Sequence, residues 1–118
     1  MSNKKCSWLQ ELQQTYLERA DSKLSELGKA LDAVIKEPDN FENRCKLHRI
    51  LHNLAGSGAS FGFSEISRTA KNMLDAFHSV PGAASNEKEQ YVKDLRENFS
   101  AIRKAFKKAK DQFKDNSG

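Results

Sequence analysis

Cysteine is scarce in the chain, and the two that occur, Cys6 and Cys45, stand apart with no metal-ligand or redox spacing. That excludes a disulfide-stapled scaffold and a thiol cluster, and it suits a reducing compartment. Long hydrophobic runs are missing as well; none approaches the ~20 apolar residues needed to cross a bilayer. The Lys4-Lys5-Cys6 start has no apolar segment behind it, so no signal peptide is expected. Together these absences predict a cytoplasmic chain with no membrane contact. Alternating stretches of Val, Ile and Thr are absent too, which argues against strands, and there is no internal repeat. No glycine loop followed by Lys and Ser/Thr cradles a nucleotide phosphate, and there is no Asp-Phe-Gly signature. A chain lacking these parts is not expected to phosphorylate itself from ATP.

What is present is a helical pattern. With 118 residues, 31% charged and 37% hydrophobic, the chain suits one domain, 1–118, that removes roughly two-thirds of its surface from water. Its net charge of +4 favours anionic partners only weakly. Leu9, Leu12, Tyr16, Ala20, Leu24, Leu27, Leu31 and Val34 recur at steps of three or four, predicting one long amphipathic helix over about 7–36. Ser7 and Gln10 read as its capping box, Gly28 as a site of close helix packing, and Pro38 as its stop. A second helix over 40–61 has Asp39 and Glu42 as capping box and Phe41 as anchor. Its core face is Leu47, Leu51, Leu54, Gly58 and Phe61, and Gly62 has the character of a C-cap with positive φ. Ser64 can cap a third helix, 64–78, with Ile66, Ala70, Met73 and Phe77 inward. Asn86 and Glu89 open a fourth, 86–114, with Tyr91, Leu95, Phe99, Ile102, Phe106, Ala109 and Phe113 on one stripe. Four helices and short loops predict an all-α, antiparallel up-down four-helix bundle.

The stretch Leu51–Phe63 is unlike the rest. On a helix, positions three, four and seven after His52 share its side, and they hold Ala55, Gly56 and Ala59. An ordinary exposed face would carry Lys, Glu or Gln there. Two glycines, Gly56 and Gly58, each cost a helix roughly 1 kcal/mol relative to alanine, so something should compensate. The reading favoured here is that another body approaches the His52 imidazole. His52 sits one step round from the core residue Leu51, on the shoulder between core and solvent, where a side chain is both held and reached.

This stretch resembles the histidine phosphotransfer (HPt) family, whose signature reads approximately His-x-Leu-Lys-Gly-Ser-x-x-x-Leu/Phe-Gly. His52, Leu54, Gly56, Ser57, Phe61 and Gly62 match it, and Ala55 stands where the family most often has lysine. Many members continue with Ala-x-x-Leu-Glu; Ala70 and Met73 fit, while Leu74 replaces the glutamate. The resemblance implies a module of a multistep His-Asp phosphorelay, with His52 as phosphoacceptor and no autonomous kinase activity. It implies a response-regulator receiver domain and/or a hybrid sensor histidine kinase as partner, with Mg²⁺ on the receiver and no cofactor in this chain. His48, Ala55, Gly56 and Ala59 are then the docking surface. A neutral imidazole is a competent nucleophile, but a phosphohistidine carries close to two negative charges, by analogy with other phosphorylated side chains. With only a methyl at Ala55, the expected source of balancing charge is Arg49, helped by Lys71 or Arg68 from the third helix.

Three other readings compete. An HPt-like interaction domain would dock a partner without being phosphorylated. His48 and His52, spaced i,i+4, could share a metal, but there is no His-Glu-x-x-His and no third ligand is evident. Arg103, Lys104, Lys107, Lys108, Lys110 and Lys114 make the last helix basic enough for nucleic acid. The aromatic residues there, Phe99, Phe106 and Phe113, lie on the core stripe, so a solvated cationic face is the better reading. His78 reads as a surface residue whose partial charge suits a helix end. The expectation is a monomer that binds neither nucleic acid nor membrane.

Overall fold

The computed structural model describes residues 3–82 and 84–117, with side chains described for residues 8–82, 84 and 86–114. The expected domain limits at 1 and 118, and the Cys6 side chain, lie outside the described residues. The regular elements are α1 (Asn3–Glu18), α2 (Ala20–Lys36), α3 (Phe41–Ser60), α4 (Ser64–His78) and α5 (Ser85–Ser117). Among the described residues there is no strand, and the chain is an all-α bundle.

The first long helix is two helices. Arg19, at φ −89° and ψ 2°, divides α1 from α2, since a ψ near zero lies off the helical well. The ladder almost carries through: the Arg19 N–H donates to the Thr15 carbonyl at 3.2 Å and the Lys23 N–H to the Arg19 carbonyl at 3.0 Å. No proline or glycine lies at the break. It accompanies a contact that α1 makes with the turn after α3, where Gln13 Nε2 donates to the Phe61 carbonyl at 2.7 Å. Because α3 has ended beside Gln13, Leu9 and Leu12 have nothing of α3 to pack on. Both were expected in the core, and both are exposed.

Paired contacts fix the helix directions. Near one end of α3, the Ala55 carbonyl accepts from Ser67 Oγ of early α4; near the other, His48 meets His78 at the close of α4. Thus α3 and α4 run antiparallel. Tyr91 OH on α5 donates to the Phe77 carbonyl, while Lys108 Nζ lies 3.8 Å from Glu65 early in α4, so α4 and α5 do the same. Arg96 pairs with Asp32 at 3.7 Å and Lys110 with Asp21 at 3.2 Å, which reverses α5 against α2. Between them lies the core: Leu27, Leu31, Leu47, Leu51, Ile66, Met73, Phe77, Leu95, Ile102 and Phe106, all fully buried.

The helix starts differ from expectation. Asn40, not Asp39, caps α3, its side chain accepting the Asn43 N–H at 2.9 Å. The backbone is already helical at Asn3, so Ser7 lies inside α1, and α5 opens at Ser85, which puts Asn86 inside too. Ser64 is the first residue of α4, with Phe63 at the cap position and no side-chain cap bond. Phe41 anchors nothing: it points away from the core, 77% exposed. Arg44 covers Phe77 there instead, its guanidinium 4.6 Å from the ring centroid.

Three glycines do what their positions demand. Gly62 takes φ 82°, and behind it the Phe63 N–H returns to the Gly58 carbonyl at 2.7 Å, reversing the chain into α4. A Cβ on Gly28 would stand 3.3 Å from Phe99 Cζ, so α2 and α5 approach closely there. Gly58 is tighter: its Cβ would lie 2.9 Å from the Ser67 nitrogen and 3.2 Å from Ile66 Cγ2. The cost of Gly58 is therefore compensated inside the bundle, by close packing of α3 on α4. Gly58→Ala is expected to lose about 1–2 kcal/mol net, since overpacking outweighs the helix-propensity gain. Denaturant melts check this; a variant as stable as the parent would show that α4 yields freely.

Candidate functional site

Leu47, Leu51, Leu54 and Gly58 turn inward, which leaves His52 exposed on the outer shoulder of α3. One turn on, Gly56 is exposed, and a Cβ built there meets nothing within 4 Å. Ala59 is exposed as well. Gly56 and Ala59 leave a lane of small, solvent-facing positions along the helix beside the imidazole. Ala55 does not belong to that lane. It is buried at 7% exposure, and its carbonyl accepts Ser67 Oγ at 2.7 Å. Ala55 and Gly56 flank His52 on opposite sides, about 100° apart, and α4 covers the Ala55 side.

Ser57 faces inward as well. Its Oγ lies 2.9 Å from Tyr16 OH, joining α1 to the end of α3. Tyr16 packs against Phe61, Phe63 and Phe106, with ring centroids 5.1–5.9 Å apart. That burial pushes the phenol pKa above its ordinary value, with the Ser57 hydrogen bond acting in the opposite direction. So the tyrosine stays neutral and serves as a support for the His52 helix.

All three histidines of the chain form one row on the α3–α4 surface. The His48 and His52 rings are near-parallel, 14° apart in plane and 6.0 Å between centroids. His48 Nδ1 in turn lies 2.9 Å from His78 Nε2. His78 is exposed in the last turn of α4, as expected, and it is also bonded to His48. Helical side chains lean toward the N-terminus, which brings His52 over the turn that holds His48. Among the described residues no group of three or more His, Cys, Asp or Glu side chains is arranged to hold a metal ion.

The cations expected around His52 differ in their freedom. Arg68 is held by Glu65 at 3.1 Å, and Glu65 also attracts Lys108. Arg49 and Lys71 are exposed. Lys71 lines a shallow groove of about 390 Å³ with Ala59, Gly62, Ser64, Ser67 and Arg68, which continues the open lane toward the α3–α4 turn. On α5 the basic residues are spread around the helix: Lys110 pairs with Asp21 of α2, Lys108 with Glu65 of α4, and Arg103 sits 6.0 Å from the Phe99 ring. Phe106 is buried and Phe99 and Phe113 pack on the core, so none is offered as a stacking platform.

A family model for the Hpt domain matches residues 11–112, spanning the His52 face and the helices that build it. The chain belongs to the Hpt domain family. That membership places it in His-Asp phosphorelay signalling, among the receiver and kinase components of such relays. No curated protein and no solved structure matches the chain. Among the described residues of this Hpt domain, no helix is long and apolar enough to cross a membrane.

Sequence reasoning missed the contacts that His78 and Ser67 make in this Hpt domain. A signal for both was present: His48 and His78 lie about equally far from the Gly62 turn, as do Ala55 and Ser67. Antiparallel helices joined at that turn bring each pair together.

Proposed function

We propose that this Hpt domain is a phosphorelay intermediate that accepts a phosphoryl group on His52 from a receiver-domain aspartate and passes it to another. The observation that carries the reading is the exposed His52 beside the open space at Gly56, within the matched family region. In the transfer step, a ring nitrogen of His52 forms the N–P bond as the aspartyl O–P bond breaks. The electron pair returns to the carboxylate, and the onward step is the reverse on a second receiver. Phosphoryl transfer asks the protein mainly for positioning and charge stabilisation. This chain supplies a fixed nucleophile and a clear approach; the receiver supplies the aspartate and Mg²⁺. Along the lane, Gly56 and Ala59 let the receiver come close, with His48 at one end and the groove of Lys71 at the other. Arg49 and Lys71 supply screening charge for the phosphorylated state, Arg68 less so because Glu65 holds it.

The test is incubation with phosphorylated receiver domains, following label from aspartate to this chain and on to a second, unlabelled receiver. Movement in both steps is expected. A second reading, docking without phosphorylation, draws on the buried Ala55 that replaces the family's usual lysine. It predicts a complex with the receiver and no label on this chain.

A further inference from the structure

We propose that His48 and His78 act as one proton-holding unit that supplies positive charge to His52 once His52 carries a phosphoryl group. The inference rests on the phosphotransfer reading of His52 and adds to it a source of charge that varies with proton concentration.

The geometry carries the argument. Two imidazole nitrogens 2.9 Å apart, His48 Nδ1 and His78 Nε2, require one to donate and the other to accept. An added proton goes to the outer nitrogen of the donor ring, whichever ring that is. The shared N–H then belongs to an imidazolium and makes a stronger, charge-assisted bond. A second proton would set two N–H groups against each other and break the link. The pair thus stores one positive charge. His78 is in the last turn of α4, at the end of the helix dipole that favours a cation. The other ring of the pair, His48, is the one stacked on His52 at 6.0 Å.

Among the described residues no charged side chain is bonded to either imidazole, and the exposed Arg49 and Lys71 supply charge that does not vary over the histidine range. The titratable and charged neighbours are Arg44, Cys45, Arg49 and His52 on α3, Lys71 and Asp75 on α4, and Tyr91 on α5, whose hydroxyl donates to the Phe77 carbonyl and is kept neutral by burial. Arg44 is engaged by the Phe77 ring and the Pro38 carbonyl. Among the described residues neither Lys71 nor Asp75 has a side-chain bond to either imidazole, and no charged side chain of α2 or α5 makes a hydrogen bond or ion pair with either ring. Ala55, the position one turn beyond His52, is buried against α4 and brings no charge. In water, one unit charge held on His48, about 6 Å from His52, changes an equilibrium by about threefold; held on His78, one ring further along the row, or in salt, it does less.

The experiment measures the phosphotransfer equilibrium with a receiver across the histidine range, about pH 5.5 to 8.5. It compares the parent chain with His78→Phe, His48→Gln and His48→Lys. Changes common to all, from His52 itself and from the donor, cancel in the ratio to the parent. At the acid end the parent should hold about two- to fivefold more phosphorylated His52 than His78→Phe or His48→Gln. The gap should close toward alkaline pH, and His48→Lys should hold its level throughout. Histidine side-chain NMR should show His48 and His78 titrating as a linked pair, with each altered by loss of the other. Parallel pH profiles, or independent titration of the two rings, overturns the proposal. Label on His52 with parallel profiles defeats this inference alone. No label on His52 in the parent defeats the phosphotransfer reading, and this inference with it.

Discussion

Replacing His52 with glutamine is expected to abolish phosphoryl acceptance while leaving the bundle folded. The side chain is exposed on the shoulder of α3, and it contributes no core burial. Exposed substitutions of this kind shift stability by about 0.5 kcal/mol or less. Glutamine keeps a polar amide of similar reach but has no nucleophilic nitrogen. The loss should thus be complete in the transfer assay and almost invisible in a denaturant melt. Equal labelling of parent and variant would refute the assignment. So would loss of label only in His48→Gln, which would move the acceptor one turn along the same row.

Gly56→Arg should give the opposite kind of separation from Gly58→Ala. At Gly56 a Cβ meets nothing within 4 Å, and glycine is a poor helix former. Stability should therefore hold or rise by up to about 1 kcal/mol. Transfer should nevertheless slow strongly, on the order of 100-fold, because a long side chain one turn from His52 displaces the incoming aspartyl phosphate. The two glycines looked alike in the sequence, and the structure assigns them different neighbours. Gly58 lies against the backbone of Ser67, whereas Gly56 lies against open space. If Gly56→Arg unfolds the domain while transfer per folded molecule is unchanged, the docking lane is not at Gly56.

Much of this was legible because core positions announce themselves by period. Leu47, Leu51 and Leu54, then Ile66, Ala70, Met73 and Phe77, were expected inward and are buried. Gly62 was expected at positive φ for the same kind of reason: a turn there needs it. Helix boundaries were less legible. Asp39 and Asn40 are both competent caps side by side, and only the register of the first turn selects Asn40. The break at Arg19 carries no proline or glycine; it goes with a tertiary contact, between Gln13 and the Phe61 carbonyl. Ala55 was misplaced because a single helix shows which residues lie near His52 and not which flank its neighbour covers. The contact of His78 was missed for a related reason, since its partner is thirty residues away and appears only when α4 is folded back on α3.

The most direct measurement is to locate the phosphoryl group. The parent chain is labelled from a phosphorylated receiver, digested, and mapped for acid-labile phosphate, with proton-coupled nitrogen NMR to assign the ring that carries it. One acid-labile phosphate is expected, on His52, and a fresh receiver should remove it. A phosphate on His48 or His78, or an acid-stable phosphate elsewhere, would contradict the His52 assignment.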